Sequence, residues 1–216
     1  MADPAPSTLV IDCATEACSV ALFASGELVG GEMRILGRGH AEALVPMIAA
    51  LPGKGRASRI AVAIGPGSFT GVRVGLAAAR ALAFAWGAEL VGYPTLALVA
   101  AQAGLVHPGQ PIASAMTGGH GEWFVQQFTG DGAPMAALAS LTPDRAAEQT
   151  TCTVVAGTQA LALVALRGTG NALELWPDAR SFSLLQNGLL IPNPAPLYGR
   201  APDARLPGGL LPAATP

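Results

Sequence analysis

The chain opens with two short apolar runs, residues 9–12 (LVID) and 18–23 (CSVALF), separated by the polar segment Ala14-Thr15-Glu16-Ala17. Such runs around a turn predict a β-hairpin, which residues 28–34 extend as a third strand. Over residues 39–51 the period changes. Leu44, Met47, Ile48 and Leu51 fall at i, i+3, i+4 and i+7, so one face of a helix is apolar. Pro46 lies inside that span and predicts a kink or a late helix start, because it lacks the N–H that an interior turn uses. Pro52-Gly53 ends the helix, and a short basic loop, residues 54–59, follows.

Residues 60–64 (IAVAI) show no polar alternation and predict a strand buried on both faces. They run into Gly65-Pro66-Gly67-Ser68-Phe69-Thr70-Gly71 and a second predicted helix, residues 72–86. A strand over 90–92 and an apolar helix over 94–103 follow. The chain then breaks at residues 106–110 (VHPGQ), the expected boundary between a first lobe, 1–104, and a smaller second lobe with its tail, 105–216. The second half is thinner. Residues 112–115, 123–128 and 154–155 predict strands, and 144–149 a short helix. Closely spaced prolines and glycines from Pro192 predict an irregular tail. Strands alternating with helices after an opening hairpin indicate an α/β fold with a mixed sheet.

Composition narrows the function classes. At 216 residues, 51% hydrophobic and 12% charged, the chain has apolar material for one domain or two small lobes. Twelve Lys and Arg against 14 Asp and Glu leave no basic excess to neutralise phosphates, so contact with a nucleic acid is expected through a partner. A mean hydropathy of +0.44 raises the question of a membrane. The longest apolar stretch, 74–88, is interrupted by Arg80 and falls short of the ~20 residues that cross a bilayer. Residues 1–8 carry Asp3 and two prolines and do not read as a signal peptide. Cys13, Cys18 and Cys152 are odd in number and lack zinc-type spacing, so reduced thiols and a cytoplasmic location are expected.

The strongest local feature is the glycine loop GPGSFTG between a buried strand and a helix, where amides and the helix dipole can hold an anion. It is not a Walker loop, because Val72-Arg73 follows Gly71 where Lys and Ser/Thr are needed. Its GxGxxxG spacing also misses the dinucleotide fingerprint. The alternative is a tight turn with Ser68 or Thr70 as the helix N-cap. In the next helix Gly71, Gly75, Ala79 and Ala83 repeat every four residues. That stripe admits either a partner helix or the chain's own sheet. Arg73 and Arg80 share a face, as partner contacts or as a solvated edge. Asp12 reads as a phosphate-site acid or a hairpin residue capping amides, and His40 as a surface or capping group.

The segments IDCATEACSVALF, GHAEALVPMIAAL and GPGSFTGVRVGLAAARALAFAWG, with the ending PLYGRAPDARLP, resemble the TsaB (YeaZ) family. The resemblance is dense over residues 9–100 and patchy beyond. It implies the acetate kinase–sugar kinase–Hsp70–actin fold, with two RNase H-like lobes and a reduced second lobe. It further implies a non-catalytic scaffold for threonylcarbamoyl transfer to an adenosine of tRNA. The alternative is a stand-alone ATP-dependent transferase or ATPase of the same fold that would hold nucleotide through Asp12, Thr15 and the GPGSFTG loop. Expected partners are a TsaD-like catalytic subunit and a TsaE-like ATPase, with a homodimer when the chain is alone. The implied partner-binding residues are His40, Leu44, Met47, Ile48 and Leu51 on the first helix and Val72, Arg73, Gly75, Leu76, Ala79, Arg80 and Ala83 on the second.

The family comparison also implies losses. The TsaD His-x-x-x-His metal pair maps to Thr95 and Val99, which cannot rebuild it, and His40, His107 and His120 lie too far apart in sequence to do so locally. No metal site or required cofactor is expected. Asp12, Thr15, Ser19, Gly65, Gly67 and Ser68 stand where ATP-using relatives surround phosphates, leaving room for ATP or ADP at a composite interface with partners. Val154-Val155-Ala156-Gly157 is a faint echo of a second nucleotide loop. The family's Asp-Ala-Arg-x-Gly-Glu segment reads Thr117-Gly118-Gly119-His120-Gly121-Glu122 here, without the Asp and Arg.

Overall fold

The structure, a computed structural model, describes residues 6–199. Three antiparallel strands, β1 (Ser7–Asp12), β2 (Ala17–Ala24) and β3 (Glu27–Ile35), are followed by α1 (His40–Ala50), β4 (Arg59–Ala63), α2 (Phe69–Trp86), β5 (Glu89–Tyr93) and α3 (Thr95–Val106). The same sequence of elements then recurs: β6 (Ile112–Thr117), β7 (Trp123–Phe128), β8 (Ala139–Leu141), α4 (Pro143–Gln149), β9 (Val154–Ala156), α5 (Ala160–Arg167) and β10 (Asn171–Leu173). A 3-10 helix (Ala179–Leu184) and a short strand, β11 (Ile191–Pro192), lie beyond it.

Topology makes the duplication explicit. One sheet is ordered β11-β5-β4-β1-β2-β3 and the other β10-β9-β6-β7-β8. In each, a three-stranded antiparallel meander is followed by two strands parallel to its first strand. This is the RNase H-like pattern, present twice. Helices of 11 and 18 residues in the first copy become 7 and 8 in the second, which is the reduction of the second lobe. β1 and β4 lie inside their sheet with both faces covered, so Leu9, Val10, Ile11, Ile60, Ala61 and Val62 are all fully buried.

The halves exchange elements. α3 is apolar all round because it lies between two layers. Leu98 belongs to the first core, whereas Leu96, Ala97, Val99, Ala100 and Ala103 pack with Ile112, Met116, Phe124 and Phe128 of the second sheet. In return, the 3-10 helix after β10 sets Phe182 against Phe23 and Tyr93 of the first lobe, at ring-centroid distances of 6.2 and 5.5 Å.

Two helix starts differ from the sequence reading. α2 begins at Phe69 rather than Val72, because Ser68 Oγ accepts the Gly71 N–H and caps the helix. α1 begins at His40 and runs through Pro46 without a late start. Pro46 sits on the exposed side, where water can meet the carbonyl it leaves unpaired.

The tip of the β1–β2 hairpin lies directly on the glycine loop. A Cβ on Gly67 would overlap the Ala14 carbonyl oxygen, and one on Gly71 the Cys13 carbonyl oxygen. Ser68 N donates to Ala14 O at 2.7 Å in the same contact. One turn later Gly75 is roomier, with Cys13, Val62 and Ile11 at 3.6–3.8 Å from a Cβ built there. Gly71→Ala is therefore expected to destabilise the chain by about 1–3 kcal/mol through overpacking. Gly75→Ala should be neutral or gain up to ~1 kcal/mol from helix propensity. Urea unfolding of the two variants checks this contrast.

Candidate functional site

The residues expected around a nucleotide do converge where hairpin and loop meet, but their polar groups bond within the chain. Asp12 is fully buried. Its Oδ1 accepts from Ala14 N at 2.9 Å and its Oδ2 from the Tyr93 hydroxyl at 3.1 Å. Burial pushes the Asp12 carboxyl up to about 7, outweighing those two donors, and the nearby Asp178 carboxylate adds to the rise. Thr15 Oγ1 accepts from Ala17 N, and Ser19 Oγ donates to Pro177 O while accepting from Ala179 N. Gly65, at φ 98, lies against the Leu197 carbonyl. Gly67 and Ser68 hold the hairpin tip, so the glycines of the loop answer a close backbone approach.

The helix residues expected to meet a partner face inward. Leu44, Met47, Ile48 and Leu51 of the α1 region and Val72, Gly75, Leu76, Ala79 and Ala83 of α2 are buried in the first core, and His40 is 9% exposed with Nε2 3.3 Å from Ala17 O. The small-residue stripe packs α2 on its own sheet. Accessible positions interleave with these. On α1 they are Ala41, Val45 and Ala49, and on α2 Ala77, Ala81 and Phe84. Val45 is 60% exposed and Phe84 93%, and the two helices pack side by side. Sequence periodicity missed this outer face.

Arg73 and Arg80 are exposed on α2, and both hold the chain's own C-terminal segment. Arg73 Nη2 donates to the Tyr198 hydroxyl at 2.5 Å, with its guanidinium carbon 3.3 Å from the Phe69 ring centroid. Arg80 Nη2 donates to Pro194 O at 2.8 Å. Leu197 N donates to Ile64 O, and Gly199 rests against Phe124 of the second lobe. Residues 193–199 thus form a strap along the end of the glycine loop. Arg200, the last residue of the Pro-x-Tyr-x-Arg ending, lies outside the described residues, as do residues 1–5.

In the second lobe, residues 117–122 form a tight turn between β6 and β7. Gly118 N donates to Glu122 O, with His120 and Gly121 at positive φ. Glu122 Oε2 accepts from Ser140 Oγ at 2.6 Å. Thr95 and Val99 are fully buried on α3, and among the described residues no three His, Cys, Asp or Glu side chains converge on a metal-sized site. The segment between β10 and the 3-10 helix is tied to the hairpin by Trp176 Nε1 donating to Glu16 Oε1 at 2.7 Å. No helix among the described residues is long and apolar enough to cross a membrane.

A model of the family described as TsaD, tRNA N6-adenosine threonylcarbamoyltransferase, matches residues 34–174. The tRNA threonylcarbamoyladenosine biosynthesis protein TsaB of Escherichia coli K12 is 33% identical over 128 residues, 57% of this chain and 55% of that protein. Its Haemophilus influenzae counterpart is 33% identical over 124 residues, 55% and 52% of the two chains. The chain thus spans about half the length of the curated relatives it matches. YeaZ from Pseudomonas aeruginosa superposes with a TM-score of 0.77 at 27% identity, covering 89% of this chain and 99% of that one. That likeness takes in both lobes and bears out the two-lobed RNase H-like fold. With family model, relatives and fold in agreement, the chain belongs to the TsaD family and, within it, to the TsaB (YeaZ) group.

Proposed function

We propose that this chain is a non-catalytic subunit in the biosynthesis of threonylcarbamoyladenosine in tRNA, and that it docks a TsaD-like catalytic subunit through the outer face of α1 and α2. The observation that carries this reading is Phe84. An aromatic ring 93% exposed, on the same face of α2 as the accessible Ala77 and Ala81, has the composition of an interface core rather than of a solvated surface. A stable complex would bury over ~1,000 Å² there. Buried Leu44, Ile48, Leu76 and Ala79 support that face from below by fixing the two helices to the sheet. The strap holds Arg73 and Arg80 at its edge.

The non-catalytic part of the reading is supported by the hairpin and loop. Asp12, Thr15, Ser19 and Ser68, which would face a nucleotide in an ATP-using relative, all have partners within the chain. Any ATP or ADP would then bind at a composite interface, with a TsaE-like ATPase as the second partner. Transfer belongs to the TsaD-like subunit, which also carries the main contact with tRNA. In its absence the same face pairs two copies of this chain, and the complex works in the cytoplasm.

Ala79 is unsuited to testing the interface, because a charge there would enter the core. Phe84→Glu is expected to keep the fold, judged by its unfolding curve, and to weaken binding to the TsaD-like subunit by 30-fold or more, about 2 kcal/mol. Light scattering after size-exclusion chromatography of the mixture reads this, and undiminished binding would rule out Phe84 as the anchor.

Asp12 gives a second test. Its pKa in the folded chain, about 7, exceeds the ordinary aspartate value of 3.8. Between those values the folded chain keeps a proton that the unfolded chain releases. Stability therefore falls as pH rises from about 4 to about 7 and levels off above. Asp12→Asn should flatten that slope, gaining on the order of a few kcal/mol at pH 8 and little near pH 4. It should also leave threonylcarbamoyl transfer by the reconstituted complex intact. Parallel pH profiles would contradict the neutral buried carboxyl, and loss of transfer would point to a catalytic Asp12.

A further inference from the structure

Cys13 and Cys18 face each other across the first hairpin, one position beyond the last paired residues, Asp12 and Ser19. Their sulfurs are 3.6 Å apart, and both side chains are buried. The residues between them are a junction for the first lobe. Ala14 O receives Ser68 N, and Glu16 O receives the N–H groups of Leu36 and Gly37 ahead of α1. Ala17 O meets the His40 ring, and the Glu16 carboxylate receives the Trp176 indole. α1, α2 and the segment between β10 and the 3-10 helix therefore all bond to the loop these two cysteines bracket.

We infer that Cys13 and Cys18 form a reversible dithiol–disulfide pair, and that its oxidation by peroxide resets how α1 and α2 sit on the hairpin. The second half of this statement bears on partner docking only through the function proposed above. Sulfurs already in contact need only a small displacement. A disulfide bond is about 2.05 Å long, so closure draws the two sulfurs together by about 1.5 Å. The surroundings do not absorb that movement freely, because the Cys13 and Ala14 carbonyls rest on Gly71 and Gly67 with no room for even a methyl group.

The chemistry balances with hydrogen peroxide as the oxidant. The Cys18 thiolate attacks one peroxide oxygen. An S–O bond forms, the O–O bond breaks, and the departing hydroxide takes up a proton to become water. Cys13 sulfur then attacks the Cys18 sulfenic sulfur. The S–S bond forms, the S–O bond breaks, and the second hydroxide leaves as water with the Cys13 proton. Two thiols lose two electrons and peroxide gains them; an external dithiol reverses the bond by exchange. The order of attack follows from the pair itself. The contact with Cys13 pulls the Cys18 thiol down against the opposing effect of burial, while the same contact and burial push Cys13 up. Peroxide, little larger than water, enters through local opening of the tip, where Glu16 is partly exposed.

The test uses the full chain carrying Cys152→Ser, so that two thiols remain. After hydrogen peroxide, the intact mass should fall by two hydrogens, both thiols should be lost to alkylation, and dithiothreitol should restore them. Neither Cys13→Thr nor Cys18→Ala should show the loss of two hydrogens. Amide hydrogen exchange in the first turns of α1 and α2 should differ severalfold between oxidised and reduced chains. Thiols that stay reduced, or that only gain oxygen, would overturn the pairing. A disulfide that leaves exchange at both helix starts unchanged would overturn the coupling. These readouts need no partner, so they stand or fall separately from the effect of Phe84→Glu on docking.

Discussion

The first lobe is organised around one backbone-on-backbone contact, the hairpin tip at Cys13 and Ala14 pressed onto Gly67 and Gly71. No side chain can separate these surfaces, so the hairpin tip fixes where α2 starts. Ser68 makes the contact directional by donating its amide to Ala14 O while its hydroxyl caps the helix. α1 is referred to the same tip through Ala17 O and Glu16 O. A loop whose composition suggests phosphate binding is thereby a joint. The demand for glycine is the same in both cases, close approach of something to the main chain, and here that something is the chain itself.

The duplicated topology explains where the molecule can afford to be small. The second copy keeps the five-stranded order, but three of its strands are three residues long and its helices are only about two turns. What closes its core is α3, contributed by the first copy. The strap at 193–199 adds a further tie from α2 across the glycine loop to Phe124. The lobes are thus joined by exchanged elements at the centre and by the strap at one side.

Much of the first lobe was legible because its elements are long enough to show a period. The hairpin, β4, α1, α2 and the break after α3 all follow from residue pattern. β8, α5, β10 and β11 were not seen; strands of two or three residues carry no alternation, and the Ala/Leu run of α5 reads equally as loop packing. The candidate site divides in the same physical way. Periodicity finds the apolar face of a helix, and that is the face a chain buries for itself. Leu44, Met47, Ile48 and Leu51 carry that signal and lie inside. Val45, Ala81 and Phe84, on the outer face, are single apolar residues among small ones and produce no period. Similarly, Arg73 and Arg80 were recognisable as one face of a helix, but only the folded chain brings Tyr198 and Pro194 to them.

The exchange between the lobes has a consequence for synthesis on the ribosome. When residues 1–106 have emerged, all five strands of the first RNase H-like unit and its three helices exist, yet Phe23 and Tyr93 still lack the ring of Phe182, and α3 has no second sheet to cover its far side. The first unit can close only after some eighty further residues have been made. Contacts of such long sequence separation are formed late in folding. The nascent first unit therefore waits with two apolar surfaces open until the second sheet and the 3-10 helix carrying Phe182 have followed it.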